Sequence, residues 1–448
     1  MFKRILAALG ANVFAQVITL VIQILVVPVF LKYWGQNIYG EWLVLMALPS
    51  YLVVSGSGIG YVSGNRIQMH IAANKAREAL AVYQSAWVFV TGLSLLLLVI
   101  IIPVLWFLPV HSWLNVSNIT IPEVRLALLF LTLYMLLNLQ IEIFGGVFRA
   151  AGQFVRGTYI FNFQRIFESV VVIGLVLAGF KVVAVAMAYF LVKFLGILFI
   201  LYDLRKVRWF SLGFKHAKLS LMRSELFPTV SFMGFPIGNA LIVQGMTTVV
   251  GIQLGPAAVV QFSVMRTMIN LVKQFASTIY YSIYPELTGL LATNNVTTAK
   301  NLHRYAFQVT LWFVVLSTLG LFVLGDWIIF YWTGGRVALD HKMFLLLLIT
   351  TIPNATWVMS SFIPISINKH SGIAIIFIFI ASISLMVAYF LAPYIGLLAV
   401  PAALFITDFF MLAVVLKQSL KIVHDPIHEF LTNLFTTFPL KQLAKLKN

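Results

Sequence analysis

Residues 82–108 read VYQSAWVFVTGLSLLLLVIIIPVLWFL, a run without a lysine, arginine, aspartate or glutamate. About 20 apolar residues in a helix cover the hydrocarbon of a bilayer, so this stretch is long enough to cross one. The same reading recurs along the chain. Spans are predicted near 10–31, 38–63, 82–108, 124–147, 158–179, 182–202, 225–250, 257–285, 304–325, 342–363, 371–392 and 395–416. Composition supports this: of 448 residues 61% are hydrophobic and 10% charged, and the mean hydropathy is +0.99. Soluble domains carry about 25% charged residues. The predicted fold is an all-α polytopic membrane protein of about 12 transmembrane helices in two six-helix bundles. The opening Met1-Phe2-Lys3-Arg4 imitates a signal peptide, but the apolar run after it outlasts an ordinary signal core and further spans follow.

The net charge of +17 records topology rather than nucleic-acid binding. With the N-terminus inside, basic residues crowd the cytoplasmic segments: Arg66, Lys75, Arg77, Arg149 and Arg156 early, Arg205 to Arg223 midway, and Lys417 to Lys447 late. The outer loops hold Lys32, Lys181, Arg336 and Lys342. This positive-inside bias places both termini in the cytoplasm. The chain has no cysteine, hence no disulfide and no thiolate metal site. It has no Walker sequence and no HExxH zinc pattern, and its carboxylates are scattered, so neither an enzyme nor a cofactor is expected.

Organisation repeats at the level of six helices. A glycine precedes the second and eighth spans, at Gly35 and Gly255. Asn74-Lys75 after the one matches Asn294-Asn295 after the other. An even number of helices per half gives a parallel repeat, with substrate expected between halves. The predicted segments are an N-terminal bundle 1–203, a basic cytoplasmic linker 204–224, a C-terminal bundle 225–417 and an amphipathic tail 418–448. Trp209, Phe210, Leu212 and Phe214 suit a linker lying on the membrane surface, and Phe430, Leu431, Leu434, Phe435 and Phe438 suit an interfacial tail helix.

Charges inside spans mark candidate sites, since each costs roughly 2.5–3.5 kcal/mol at the helix centre on insertion scales. Gln261, Arg266, Asn270, Lys273 and Ser277 form a ladder on the eighth span, which holds no acid to neutralise the two cations. Such cations suit an anionic ligand, phosphate or pyrophosphate, held by the arginine fork and the lysine point charge. The alternative is pairing with Glu41, Glu142 or Asp408 of other helices. Asp408 is also a candidate ion-coupling site. Asn12, Gln16, Thr19 and Gln23 share one face of the first span, either as interhelical hydrogen bonds or as a cavity wall. Asn138, Glu142 and Arg149 share a face of the fourth. Arg165 and Glu168, three apart, are close enough to neutralise each other, whereas Lys193 has no acid nearby in sequence.

Several motifs resemble Wzx-type oligosaccharide flippases, the polysaccharide-biosynthesis exporters of the MOP superfamily. They are Asn12-x-x-x-Gln16, Val27-Pro28-x-Phe30-Leu31, Gly35-x-x-x-Tyr39-Gly40-x-Trp42, Gly58-Ile59-Gly60 and Phe148-Arg149-Ala150-x-Gly152. The resemblance implies a transporter of the bacterial inner membrane that flips undecaprenyl-pyrophosphate-linked oligosaccharides, for O antigen or similar surface polysaccharide, by alternating access through a cationic lumen. Arg266 and Lys273, with Lys193 and Arg149, would hold the headgroup; Asn12, Gln16, Asn270 and Gln261 would bond sugars. Membrane lipids, a polysaccharide polymerase and glycosyltransferases are the partners it brings to mind. Three rivals remain: a MATE-like multidrug or cation antiporter, a lipid II flippase, and a non-transporting scaffold of a polysaccharide assembly complex.

Overall fold

The structure, a computed structural model, describes residues 2–223, 233–367 and 369–436. The described residues are helical with short connections and no strand. The chain divides into two compact units, Met1–Ala240 with Gly255–Val260, and Leu241–Leu254 with Gln261–Asn448.

The first unit opens with α1, Phe2–Ala72, 71 residues broken at Gly35, where φ is 70° and ψ 178°. That backbone region is essentially closed to residues with a Cβ. The resemblance motif surrounds this break. Phe30 packs on Trp34 and Tyr39, Trp34 meets Trp42 edge-on at 5.6 Å, and the Trp34 indole N–H donates to the Phe180 carbonyl at 3.1 Å. A side chain at Gly40 would run into the Pro256 carbonyl. The motif residues thus build a corner.

There follow α2 (Ala76–Phe107), α3 (Val110–Trp113), α4 (Ile121–Ala150), α5 (Phe154–Leu177), α6 (Val182–Leu204) and the short α7 (Gly234–Ala240). The core joins Ile59 and Ile67 of α1, Tyr83 and Val90 of α2, Ile143, Phe144 and Val147 of α4, and Ile200 and Leu204 of α6. The linker is fastened to the first unit. Phe210 is buried, its ring 4.8 Å from that of Tyr83. Gln84 donates to the Ser211 carbonyl and accepts from the His216 N–H, and Ser85 accepts from the Lys218 N–H. Free backbone groups of the linker found partners on α2, so the segment is strapped down; Leu212 and Phe214 stay exposed.

In the second unit a π turn, Leu241–Gly245, leads into α8 (Met246–Leu254). Then come α9 (Pro256–Ala292, its first turn grouped with the first unit), α10 (Val296–Thr333), α11 (His341–Ser366), α12 (Ser371–Ile395), α13 (Ala399–Ile422) and α14 (Ile427–Thr436). Its core runs through Ala276, Tyr280, Ala306, Val314, Met359, Ile363, Leu420 and Phe430.

Among the described residues nine helical stretches are long and apolar enough to cross a membrane. Two contain a break, Val13–Val53 at Gly35 and Ser371–Ile422 at Gly396, and α9, which carries Arg266 and Lys273, is not among the nine. Counting both breaks and α9 gives the twelve crossings read from the sequence. The beginning of the seventh predicted span, 225–232, lies outside the described residues. The tail helix α14 buries one face against its own unit and leaves Ile427 and Leu431 exposed. Phe430 and Leu434 are buried against α10, the Arg304 guanidinium pairs with Asp425 and Glu429, and Gln308 donates to the Asn433 and Leu434 carbonyls at the helix end. Phe438 and the side chain of Phe435 lie outside the described residues.

Candidate functional site

In the first unit one buried charge pair bridges two helices. Lys193 of α6 lies 2.6 Å from Glu168 of α5, and both are almost fully buried. The Tyr134 hydroxyl donates to the other carboxylate oxygen at 3.2 Å, and the ammonium stands 5.1 Å from the Tyr134 ring centre. Arg165 takes no part in this pair: its guanidinium donates to the Thr19 hydroxyl at 3.1 Å. The predicted Arg165–Glu168 neutralisation is therefore corrected. Those two share a helix but diverge enough in direction for a neighbouring helix to win the acid. Lys193, expected without a partner and offered as a headgroup ligand, is engaged by Glu168.

Arg149 and Glu142 sit where α1 and α4 touch most closely. A Cβ on Gly146 would stand 2.7 Å from the Gly64 Cα, and one on Gly64 would stand 2.6 Å from the Arg149 guanidinium. Glu142 covers Gly60 and feels the charge of Arg149 two turns on. Small residues let membrane helices approach this closely. Gln16 is partly exposed and Thr19 bonds across to α5, so this polar face of α1 serves at least one interhelical contact. The side chain of Asn12 lies outside the described residues.

In the second unit α9 carries Gln261, Arg266, Asn270 and Lys273, and these side chains differ in use. The Arg266 guanidinium donates to the Val243 carbonyl at 2.7 Å and to the Thr247 hydroxyl at 2.8 Å, and lies 4.7 Å from the Phe262 ring centre. Val243 belongs to the π turn, whose wider winding leaves a carbonyl to be met. Gln261 donates to the Ala338 carbonyl, tying the start of α9 to the loop before α11, while Asn270 is exposed. Lys273 has no hydrogen bond or ion-pair contact among the described residues; Asp408 attracts it and Arg266 repels it. Asp408 is buried and accepts from the Asn354 amide and the Trp357 indole, both at 2.8 Å on one oxygen. Of the three acids offered as counter-ions, Asp408 is the one that faces the ladder. Glu41 instead accepts from the Ser117 and Asn118 backbone N–H groups and the Asn118 amide, holding the loop before α4.

Sequence reasoning passed over Tyr134, Thr247, Asn354 and Trp357. A signal existed for the last two: two side-chain donors three residues apart lie on one face of an apolar helix. Among the described residues no group of acids and histidines is arranged to hold a metal.

No protein-family profile and no curated protein sequence matches the chain. Solved structures do. An inward-facing multidrug-resistance MATE family transporter of the MOP superfamily superposes with a TM-score of 0.78 at 14% identity, covering 94% of this chain and 98% of that one. The lipid II flippase MurJ, inward closed, gives 0.71 at 14% identity over 99% and 91%. The Vibrio cholerae MATE transporter VcmN in its bent form gives 0.60 at 15% over 94% and 97%. The fold is thus the one these solved structures share, in an all-α multi-pass membrane protein.

Proposed function

We propose that the chain is a flippase of the bacterial inner membrane. It moves undecaprenyl-pyrophosphate-linked oligosaccharide repeat units from the cytoplasmic to the periplasmic leaflet for surface polysaccharide synthesis. One observation carries the reading: Lys273, on a spanning helix, has no hydrogen-bond or ion-pair partner among the described residues, while Arg266 two turns away adds a second positive charge. A cation left without a contact inside a membrane protein is costly unless water or an anionic ligand meets it. The pyrophosphate would meet Lys273 as a point charge. Arg266 would contribute its field. Asp408, fixed by Asn354 and Trp357, attracts Lys273 without an ion-pair contact, and an arriving anion would compete with it for that charge. That exchange is a two-state element of the kind alternating access requires. Exposed Asn270 lies on the same helix face for the sugars.

The buried acid Asp408 favours one second reading, export of a cation in the manner of the multidrug transporters that share the fold. Depleting the protein and extracting polyprenyl-linked glycans separates the two. Accumulation of a pyrophosphate-linked repeat unit on the cytoplasmic face supports flipping. Normal lipid-linked pools together with raised sensitivity to cationic dyes would establish drug export instead.

A further inference from the structure

We infer that the second unit holds an acyl chain of an anionic phospholipid in a groove closed on one side by the tail helix. The groove has a volume of about 360 Å³ and is walled by α10, α11, α13 and α14, with Phe307, Leu412, Leu416, Phe430 and Leu434 among its residues. Its wall holds one polar side chain, Thr356, whose hydroxyl already donates to the Ile352 and Pro353 carbonyls. No side-chain donor is therefore left for a polar ligand, and a water there would find too few polar partners to hold it. Along α13 the lining extends from Phe405 to Leu416, roughly 16 Å at 1.5 Å per residue. The groove is therefore long and narrow, the shape of a hydrocarbon chain. An ordinary lipid-facing helix surface is convex; here α14 supplies a fourth wall.

Charge at the end nearer α14 identifies the headgroup. Lys417, adjacent to Leu416, and Lys421 one turn further are both exposed. The acids of this end are occupied, since Arg304 takes both Asp425 and Glu429. Basic residues beside a span attract anionic lipid. A phosphatidylglycerol-type lipid satisfies both halves of the site, whereas a zwitterionic lipid satisfies the groove alone.

The test uses the full chain in phosphatidylethanolamine vesicles doped with phosphatidylglycerol carrying a photoactivatable group in its acyl chain. Cross-links are expected on peptides of α11, α13 and α14, several-fold above those on lipid-facing α2. Leu412→Trp, which fills the groove, should remove them while the melting temperature holds; Leu416→Trp serves if the first variant fails to insert. Lys417→Gln with Lys421→Gln should bring labelling down to that of the matching phosphatidylethanolamine probe. Four results would overturn the inference: even labelling of all lipid-facing helices; equal labelling by the two lipids in the unaltered chain; displacement of the label by polyprenyl phosphate, which would make the groove a substrate-tail site; or labelling that appears only after deletion of 437–448, which would make the chain its own occupant.

Discussion

The Lys193 ammonium and the Glu168 carboxylate meet at 2.6 Å with 3% and 4% of their side chains exposed, joining α5 to α6 through Tyr134. Removing one partner of a buried pair strands the other, at about 3–5 kcal/mol, whereas replacing both by apolar side chains of similar volume is nearly neutral. Lys193→Met should therefore lower thermal stability sharply in detergent, and Lys193→Met with Glu168→Leu should recover most of it. Transport by the recovered double variant distinguishes a brace from a headgroup ligand: a brace retains activity.

Gly64 and Gly146 bring α1 and α4 to backbone contact beside Arg149. Gly64→Leu forces the helices apart and displaces the guanidinium, with an overpacking cost of about 1–3 kcal/mol. Gly92, with open space around it, is the control position. Melting temperatures should fall for Gly64→Leu and hold for Gly92→Ala.

Lys273 and Asp408 act as one unit if their charges hold each other in the absence of substrate. Asp408→Asn keeps the shape and removes the charge. Transport should fall by at least about tenfold, roughly 1.4 kcal/mol in the barrier. Adding Lys273→Gln should cost much less in the Asp408→Asn background than alone, the signature of coupled residues in a double-mutant cycle. Additive losses would separate the two residues.

Arg304 fastens the tail helix: its side chain is 12% exposed and that of Asp425 is fully buried. Arg304→Ala leaves the acid stranded, and α14 should become cleavable by protease while α10 and α11 remain protected. Arg304→Lys should restore protection only in part, since one ammonium does not reproduce the fork that meets Asp425 and Glu429.

The fold was legible because hydropathy acts over whole helices and breaks announce themselves. Gly35 and Gly255 both take positive φ, at 70° and 85°, and Asn74 and Asn294 do the same at 58° and 56°. The repeat seen as matched residue types is thus a repeat of backbone turns. The site was legible by element but not by partner. Placing Arg266 and Lys273 on one face needs only the helical period. That Arg266 would find a π-turn carbonyl, that Glu168 would choose Lys193 over Arg165, and that Phe210 would turn inward depend on which helices become neighbours, and no local spacing encodes this. The close helix approach at Gly60 and Gly64 escaped the sequence for a related reason: a small residue marks such an approach only once the opposing Glu142 and Gly146 are known.

The central claim is movement of a lipid-linked anionic glycan, and reconstitution reads it directly. The purified chain is placed in proteoliposomes with a fluorescent polyprenyl-pyrophosphate-linked oligosaccharide, and the fraction protected from a membrane-impermeant quencher is followed. Flipping predicts protein-dependent exchange between leaflets that is abolished by Arg266→Gln with Lys273→Gln at unchanged reconstitution. Exchange no faster than in protein-free vesicles, or equally fast in the double variant, would contradict it.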